Sequence, residues 1–202
     1  MTMPLLSPRG RLGLAVLGPL LLLLCGLWVR GPAGHGRPVL YAEHPPLAHT
    51  GGFGEPTCQV CHFGGELNGG TGRLGIRGLP DTVEAGTSVR LTVRLRADMA
   101  RAGFMLAFRH PDGRPAGTLT PVDSARVAVH VPDTSDVPYA HHTLAGTELT
   151  AAGEATWRVH WTAPSGAADS VRLHVAANAA NDDASEFGDD IYATSSGLVV
   201  HR

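Results

Sequence analysis

The feature that most constrains the fold of this chain is an alternation of apolar and polar residues with a period of two. In the segment Ser88–Arg96, Val and Leu side chains alternate with Arg and Thr side chains. Successive side chains of a β-strand point to opposite faces, so this pattern predicts a strand with one buried face. Runs with the same period recur at residues 104–108, 127–131, 157–161 and 171–175.

Turn-forming residues precede or separate these runs. They are Glu-Ala-Gly at 84–86, Pro-Asp-Gly at 111–113, Pro-Asp at 132–133 and Ala-Pro-Ser-Gly at 163–166. Several short strands joined by such turns, with no long helical period, predict an all-β chain. We expect an Ig-like antiparallel β-sandwich over residues 73–202. The 202 residues leave no room for a second large domain.

The first 33 residues predict a signal or membrane anchor. Arg9 and Arg11 precede an uncharged, largely apolar stretch at 12–29. Its length lies between the apolar core of a secretory signal and the roughly 20 residues that cross a bilayer. No good cleavage site follows it, and Cys25 lacks the small preceding residue that lipidation needs. We therefore expect a single-pass transmembrane helix in the cell membrane, with the folded domain on the extracytoplasmic side.

The charge pattern bears on partners and activity. Net charge is -2, and the 16 basic residues, all Arg, are scattered along the sequence. No basic run could follow a phosphate backbone, so we expect no nucleic-acid partner. A nucleophile elbow and a Gly-rich phosphate loop are also missing from the sequence, which predicts no enzyme of the hydrolase or kinase type.

Residues 34–72 are rich in Gly, Pro and His and predict a tether followed by a loop segment. Within this segment, Cys58, Cys61 and His62 have the spacing used for covalent attachment of haem c. The two thiols would form thioethers with the porphyrin, and the imidazole would supply an axial nitrogen to iron. A local disulfide, a thioredoxin-like pair and part of a zinc site stay open as alternatives. Haem is favoured because the chain begins with an export segment and His directly follows the second Cys.

A second axial ligand is less well defined by the sequence. The candidates are His44, His49, Met105, His110, His130, His141, His142, His160 and His174. The phase of His130, His160 and His174 is opposite to that of the apolar residues on their strands, which predicts a solvated face and demotes them. The pair at 141–142 lies at a strand edge or loop, where a tethered haem could dock. Five-coordinate iron is the other possibility.

A polar cluster at 178–190 contains two Asn and four Asp residues. Oxygen ligands at this density could hold calcium. The spacing of an EF-hand is absent, and Asn and Asp are usual in long connections between strands. We interpret the cluster as a structural loop.

Several segments together resemble the bacterial exported choice-of-anchor domain proteins, which are similar to the reelin-type β-sandwich domain. The segments are residues 50–62, 103–106, 116–120, 142–143, 161–164 and 176–181. The resemblance covers about 49–195, and it is most specific at Trp-Thr-Ala-Pro and at Cys-x-x-Cys-His. It implies a reelin-like sandwich with an attached haem and a membrane anchor, but no settled activity. His142 matches the family's His-Thr pair, which raises it above the other candidates for sixth ligand.

These observations predict an exported, membrane-associated, monohaem c-type cytochrome-like protein that exchanges electrons with a redox protein partner. The alternative is a cell-surface binding or adhesion module in which the β-sandwich is the working part. Fold alone does not separate the two.

Overall fold

A computed structural model describes residues 44–166 and 169–202 of the chain. The predicted anchor at 1–33 and the first part of the tether lie outside the described residues. Within the described ranges, no helix is both long enough and apolar enough to cross a bilayer.

The described residues form ten β-strands and two short 3-10 helices. The strands are β1 (Arg73–Arg77), β2 (Thr82–Glu84), β3 (Ser88–Arg96), β4 (Arg101–Arg109), β5 (Thr118–Pro121), β6 (Val127–His130), β7 (Tyr139–His142), β8 (Glu154–Thr162), β9 (Asp169–Ala180) and β10 (Asp190–His201). The 3-10 helices are Cys58–Val60 and Ala145–Thr147. One sheet has the order β1-β3-β8-β5 and the other has the order β2-β10-β9-β4-β7-β6. The described residues are therefore all-β, and the predicted β-sandwich is confirmed, with one parallel pair, β2 and β10, among otherwise antiparallel strands.

Large aromatic side chains join the two sheets. Trp157 stacks on Phe104 with ring centroids 4.6 Å apart, and Trp161 stacks on Phe108 at 4.4 Å. Each indole N–H donates a hydrogen bond to a backbone carbonyl at 2.8 Å. Since the tryptophans belong to β8 and the phenylalanines to β4, both stacks cross the core between the sheets.

β4 is buried on both faces. Its core-facing residues include Phe104 and Phe108, whereas Met105 and Ala107 form a second apolar cluster with Val137 and Tyr139 on the outer side. Leu47 and Ala48, from the segment before the first strand, pack against that cluster. The segment that carries the Cys-x-x-Cys-His motif thus covers the outer face of the six-stranded sheet.

Candidate functional site

Glu55 holds the motif segment on the six-stranded sheet. Its carboxylate accepts a hydrogen bond from Thr50 Oγ1 at 2.6 Å, pairs with the Arg109 guanidinium and accepts a hydrogen bond from the Tyr139 hydroxyl. The Glu55 and Arg109 side chains are only 10% and 12% exposed. Burial of a charge is costly unless it is paired, so this contact fixes where the segment lies. The segment has the loop conformation that the sequence predicts, but it is docked on the sandwich.

The two cysteines lie at the start and just beyond the end of the first 3-10 helix. Thr57 caps this helix, because its Oγ1 accepts a hydrogen bond from the Gln59 backbone N–H at 3.3 Å. Cys58 and Cys61 are free thiols, and Cys61 is exposed. Cys58 keeps part of its surface exposed, yet the atoms packed around it bury the thiol enough to raise its pKa to about 12. Because thioredoxin-like exchange needs a reactive thiolate, a neutral Cys58 disfavours that alternative.

His62 is fixed by a buried carboxylate from the far end of the chain. Its Nδ1 lies 2.6 Å from Asp189 Oδ2, and the Asp189 side chain is 1% exposed. Asn178 Nδ2 donates to the same carboxylate oxygen at 3.1 Å. Asn178 Nδ2 also lies 3.0 Å from His62 Nδ1. When Asn178 donates to Asp189, the carboxylate accepts from His62 Nδ1–H, and in this neutral tautomer Nε2 keeps its lone pair. Metal-binding histidines are commonly oriented through the other ring nitrogen in this way.

The loop before β10 presents Asp189 through its own hydrogen bonds. Asn181 Oδ1 accepts from the Asp183 backbone N–H at 3.1 Å, and Asp183 Oδ1 accepts from the Ser185 N–H at 2.9 Å. The Asn181 backbone N–H donates to Asp189 Oδ1 at 3.2 Å. These bonds fit our interpretation of the cluster as a structural loop. Over residues 44–166 and 169–202, no three His, Cys, Asp or Glu side chains are arranged to hold a metal ion.

An exposed apolar surface adjoins the motif. Phe63 and Phe187 lie with ring centroids 5.6 Å apart, and their backbones form an isolated β-bridge. Phe63, Phe187 and Val60 are 47%, 60% and 54% exposed. Large contiguous apolar patches on a protein surface are characteristic of interaction sites. A porphyrin has the flat, apolar character that this surface would cover, so the residues around the motif fit an attached haem.

The His142 ring lies against β4. Gly103 pairs with Asn178 across β4 and β9, and the His142 ring lies against Gly103. His142 Nδ1 lies 3.0 Å from the Phe104 backbone N and 3.1 Å from the Phe104 carbonyl O, and the tautomer of the ring decides which of the two it bonds. Burial lowers the pKa of His142 to about 4; a hydrogen bond with the Phe104 backbone opposes this effect, and positive charge on His141 and then on His62 adds to it. His142 is therefore a neutral imidazole at physiological pH, and its role as sixth ligand stays a prediction.

The remaining candidates for sixth ligand have other surroundings among the described residues. His160 lies on the outer face of the four-stranded sheet, on the opposite side of the sandwich. The other contacts are His49 Nδ1 with Leu47 O at 2.8 Å, His110 Nδ1 with Asp169 Oδ2 at 2.9 Å, His130 Nδ1 with His141 Nε2 at 2.7 Å, and the His174 ring with the Phe53 ring at 5.2 Å. The outer-face position expected for His174 is found, but the motif segment covers it. Met105 is packed in the second apolar cluster.

We predict that Gly103→Ala will displace the His142 ring. A Cβ at position 103 would lie 2.7 Å from His142 Cε1, which is too close for an unstrained contact. The expected loss in free energy of unfolding is about 1–3 kcal/mol, the usual cost of overpacking. Urea unfolding measures it, with Gly75→Ala as control because a Cβ there meets nothing within 4 Å. Equal stability of the two variants would contradict the proposed packing of His142.

Acid should destabilise a haem-free form of the chain through His142. The unfolded-state pKa is near 6.5 and the folded-state pKa is about 4, so the unfolded state binds the proton first as pH falls. The contribution is complete above pH 6.5 and is lost progressively toward pH 4, for a total of roughly 3 kcal/mol. Urea unfolding at several pH values measures this slope. His142→Gln should flatten it, and an unchanged slope would assign the effect to other groups.

Comparison with models of known protein families gives no match, and comparison with curated proteins gives none either. Solved structures do show similar folds. The reelin-N domain of F-spondin is 20% identical, with 72% of this chain and 96% of that chain covered at a TM-score of 0.45. The human F-spondin reeler domain is also 20% identical, with 69% of this chain and 95% of that chain covered at a TM-score of 0.41. A cohesin module from a Clostridium perfringens family 33 glycoside hydrolase is 14% identical, with 64% of this chain and 96% of that chain covered at a TM-score of 0.46.

These neighbours are reelin-like domains and cohesin β-sandwich modules, and the similarity concerns the fold. The attached haem that the family resemblance implies stays a prediction.

Proposed function

We propose that this chain is a β-sandwich binding module that carries one covalently attached haem c. Cys58 and Cys61 supply the two thioether sulfurs, and His62 supplies Nε2 as an axial ligand. The observation that carries the proposal is the 2.6 Å contact between His62 Nδ1 and the buried Asp189 carboxylate. It holds the imidazole in the tautomer that can bind iron, directly beside two free thiols.

The chain's own residues would hold the group from several sides. Phe63, Phe187 and Val60 supply apolar surface against which a porphyrin can pack. Glu55 fixes the motif segment through Arg109, so that the thiols stay near the sheet. Haem, when bound, supplies one-electron redox chemistry.

His142 is the residue that we propose for the sixth ligand. Its Nδ1 lies 3.1 Å from Phe104 O, and in the tautomer in which Nδ1–H donates to this carbonyl, Nε2 keeps the lone pair that would bind iron. Holding a neutral ring in this position needs no proton release at physiological pH.

The finer proposal is that the module transfers electrons to a redox protein partner outside the cytoplasm. Its support is the exposure of the apolar surface beside the motif, since a porphyrin edge there would stay accessible to a partner. Spectroelectrochemistry of the full chain in detergent tests the proposal, and we expect a reversible one-electron transition with a c-type absorption band. A haem that cannot be reversibly reduced would overturn electron transfer and leave attachment intact.

We predict that Asp189→Asn will raise the reduction potential of the attached haem. A neutral amide is a weaker hydrogen-bond acceptor from His62 Nδ1–H than a carboxylate is. The imidazole then donates less electron density to oxidised iron. The expected shift is on the order of 50 mV, corresponding to about a tenfold change in a one-electron equilibrium. Asp183→Asn is the matched control, because Asp183 lies in the same loop and is bonded to Asn181 and Ser185. Equal potentials for both variants would show that Asp189 does not act on the iron.

A second candidate is a binding module in which the β-sandwich itself is the working part. The observation that favours it is an arginine-rich outer face on the four-stranded sheet, which haem attachment leaves unexplained. The variant His62→Ala separates the two candidates. If it loses electron exchange but the β-sandwich still binds its partner, the second candidate is supported. Loss of both would mean that the haem is needed for binding as well.

A further inference from the structure

The outer face of the four-stranded sheet gathers six arginines from three strands. In the sequence these residues are scattered, and only strand pairing brings them together. Alternate residues of each strand share this face, because the residues between them face the core. The six are Arg73 and Arg77 on β1, Arg90, Arg94 and Arg96 on β3, and Arg158 on β8. They amount to half of the arginines in the part of the chain that the structure describes.

Little negative charge balances this face. Glu154 is the one carboxylate on it, and it pairs with Arg94 Nη2 at 3.0 Å and with Arg96 Nε at 2.7 Å. His160 is the remaining titratable side chain on the face, opposite Arg90. Of the six arginines only Arg94 is not exposed. The face therefore carries a large net positive charge although the chain as a whole is slightly negative.

One cross-strand pair sets two like charges opposite each other, although Arg96 also pairs with Glu154. Arg73 lies directly opposite Arg96 in the β1–β3 ladder. Like charges at directly opposite positions repel each other and destabilise a sheet. An anionic surface placed against the face would remove this repulsion.

The chemistry of the face favours one class of partner over others. Its uncharged positions are small or polar, as at Thr92, Thr156 and Thr120, and no exposed large apolar side chain of the described residues lies on it. Protein interfaces use buried aromatic anchors, and single-stranded nucleic acids use aromatic stacking platforms. Neither is present on this face. What remains is an array of guanidinium groups, which suits phosphate.

We propose that this face binds the anionic phospholipid headgroups of a bilayer. Arg94 and Arg96 lie about 7 Å apart along β3, the other neighbours on one strand lie about 13 Å apart, and adjacent strands are about 5 Å apart, so the arginines form an array on one surface that can lie on a membrane. Each arginine near an anionic surface strengthens binding about fivefold. The predicted anchor at 12–29 would keep the domain close to the bilayer, since residues 30–43 extend at most about 50 Å.

This orientation has a consequence for the proposed haem. The motif segment covers the outer face of the six-stranded sheet, and the arginines lie on the outer face of the other sheet. A domain that rests on lipid through its arginines would point the motif segment away from the membrane. The inference does not depend on haem, and a chain without attached haem should behave in the same way.

The test uses the full chain in lipid nanodiscs that contain phosphatidylcholine alone or phosphatidylcholine with phosphatidylglycerol. An arginine-specific reagent and mass spectrometry report the modification rate of each arginine. We expect the exposed arginines of the face to react at least fivefold more slowly in the anionic nanodiscs. Arg114 and Arg172 are internal controls that should not change, because they lie away from the face. About 0.5 M salt should reverse the protection, since surface charges are then screened.

Two multiple-substitution variants test the same proposal independently. Arg73→Gln, Arg77→Gln and Arg90→Gln together should abolish protection at Arg158, whereas Arg114→Gln with Arg172→Gln should leave it intact. A melting temperature confirms that both variants fold. Equal modification in the two kinds of nanodisc would overturn the proposal. Protection by a soluble oligonucleotide, but not by anionic nanodiscs, would overturn it in favour of nucleic acid.

Discussion

A chain in which Cys58 and Cys61 are both replaced by alanine will carry no covalently attached haem, whereas the wild-type chain will carry one. Each thioether needs its own sulfur, and the third cysteine, Cys25, lies in the apolar stretch far from the motif. Haem staining after denaturing electrophoresis measures the loss, because only covalently bound haem survives denaturation. The expected change is complete loss of the signal.

The double variant should still fold. Cys61 is exposed and Cys58 lies in the docked segment outside the sandwich core. A melting temperature close to that of haem-free wild-type chain is therefore expected. Cys25→Ala is the matched control and should keep its haem. Haem retained by the double variant, or lost from the Cys25→Ala variant, would contradict the assignment of the motif.

Trp161→Ala will produce the largest loss of stability that we expect from a single substitution. Trp161 is fully buried, stacks on Phe108 at 4.4 Å and donates its indole N–H to Ala116 O at 2.8 Å. Its removal leaves a cavity between the two sheets, so the free energy of unfolding should fall by about 3–5 kcal/mol. Because domains are commonly stable by only about 5–15 kcal/mol, a fraction of the variant molecules should be unfolded near body temperature. Urea unfolding measures the change.

Trp161→Phe separates the two contributions of this side chain. A phenyl ring keeps most of the stacking on Phe108 but cannot donate to Ala116 O, which should cost about 1–3 kcal/mol. The loss should therefore be smaller than for alanine. Equal losses in both variants would show that the hydrogen bond, and not the packing between sheets, dominates at this position.

Much of the fold is predictable from local sequence, but not all of it. β3 begins and ends where the alternation predicts, at Ser88 and Arg96. β10 has no such signal, because Thr194 to Gly197 interrupt its apolar pattern. It is a strand because β9 pairs with it along almost its whole length. Pairing between distant segments, rather than a residue's own preference, decides such elements.

The candidate site also combines features that local sequence predicts with features that depend on long-range folding. The positions of Cys58, Cys61 and His62 follow from the spacing of five consecutive residues. Asp189 is 127 residues from His62, and only the folding of β9 and β10 brings it to the ring. The sequence cluster that contains it suggested calcium or a loop, and nothing local connected it to the motif. The arginine face was missed for a related reason, since charge scattered along a sequence can be gathered by a sheet.

The most direct test of the account is mass spectrometry of the tryptic peptide that ends at Arg73, taken from full-length protein made in a host with haem-attachment machinery. We predict that this peptide, which contains Cys58, Cys61 and His62, is heavier than its sequence by one haem. A peptide with the mass of its sequence alone, from cells that load haem on another c-type protein, would contradict the central claim.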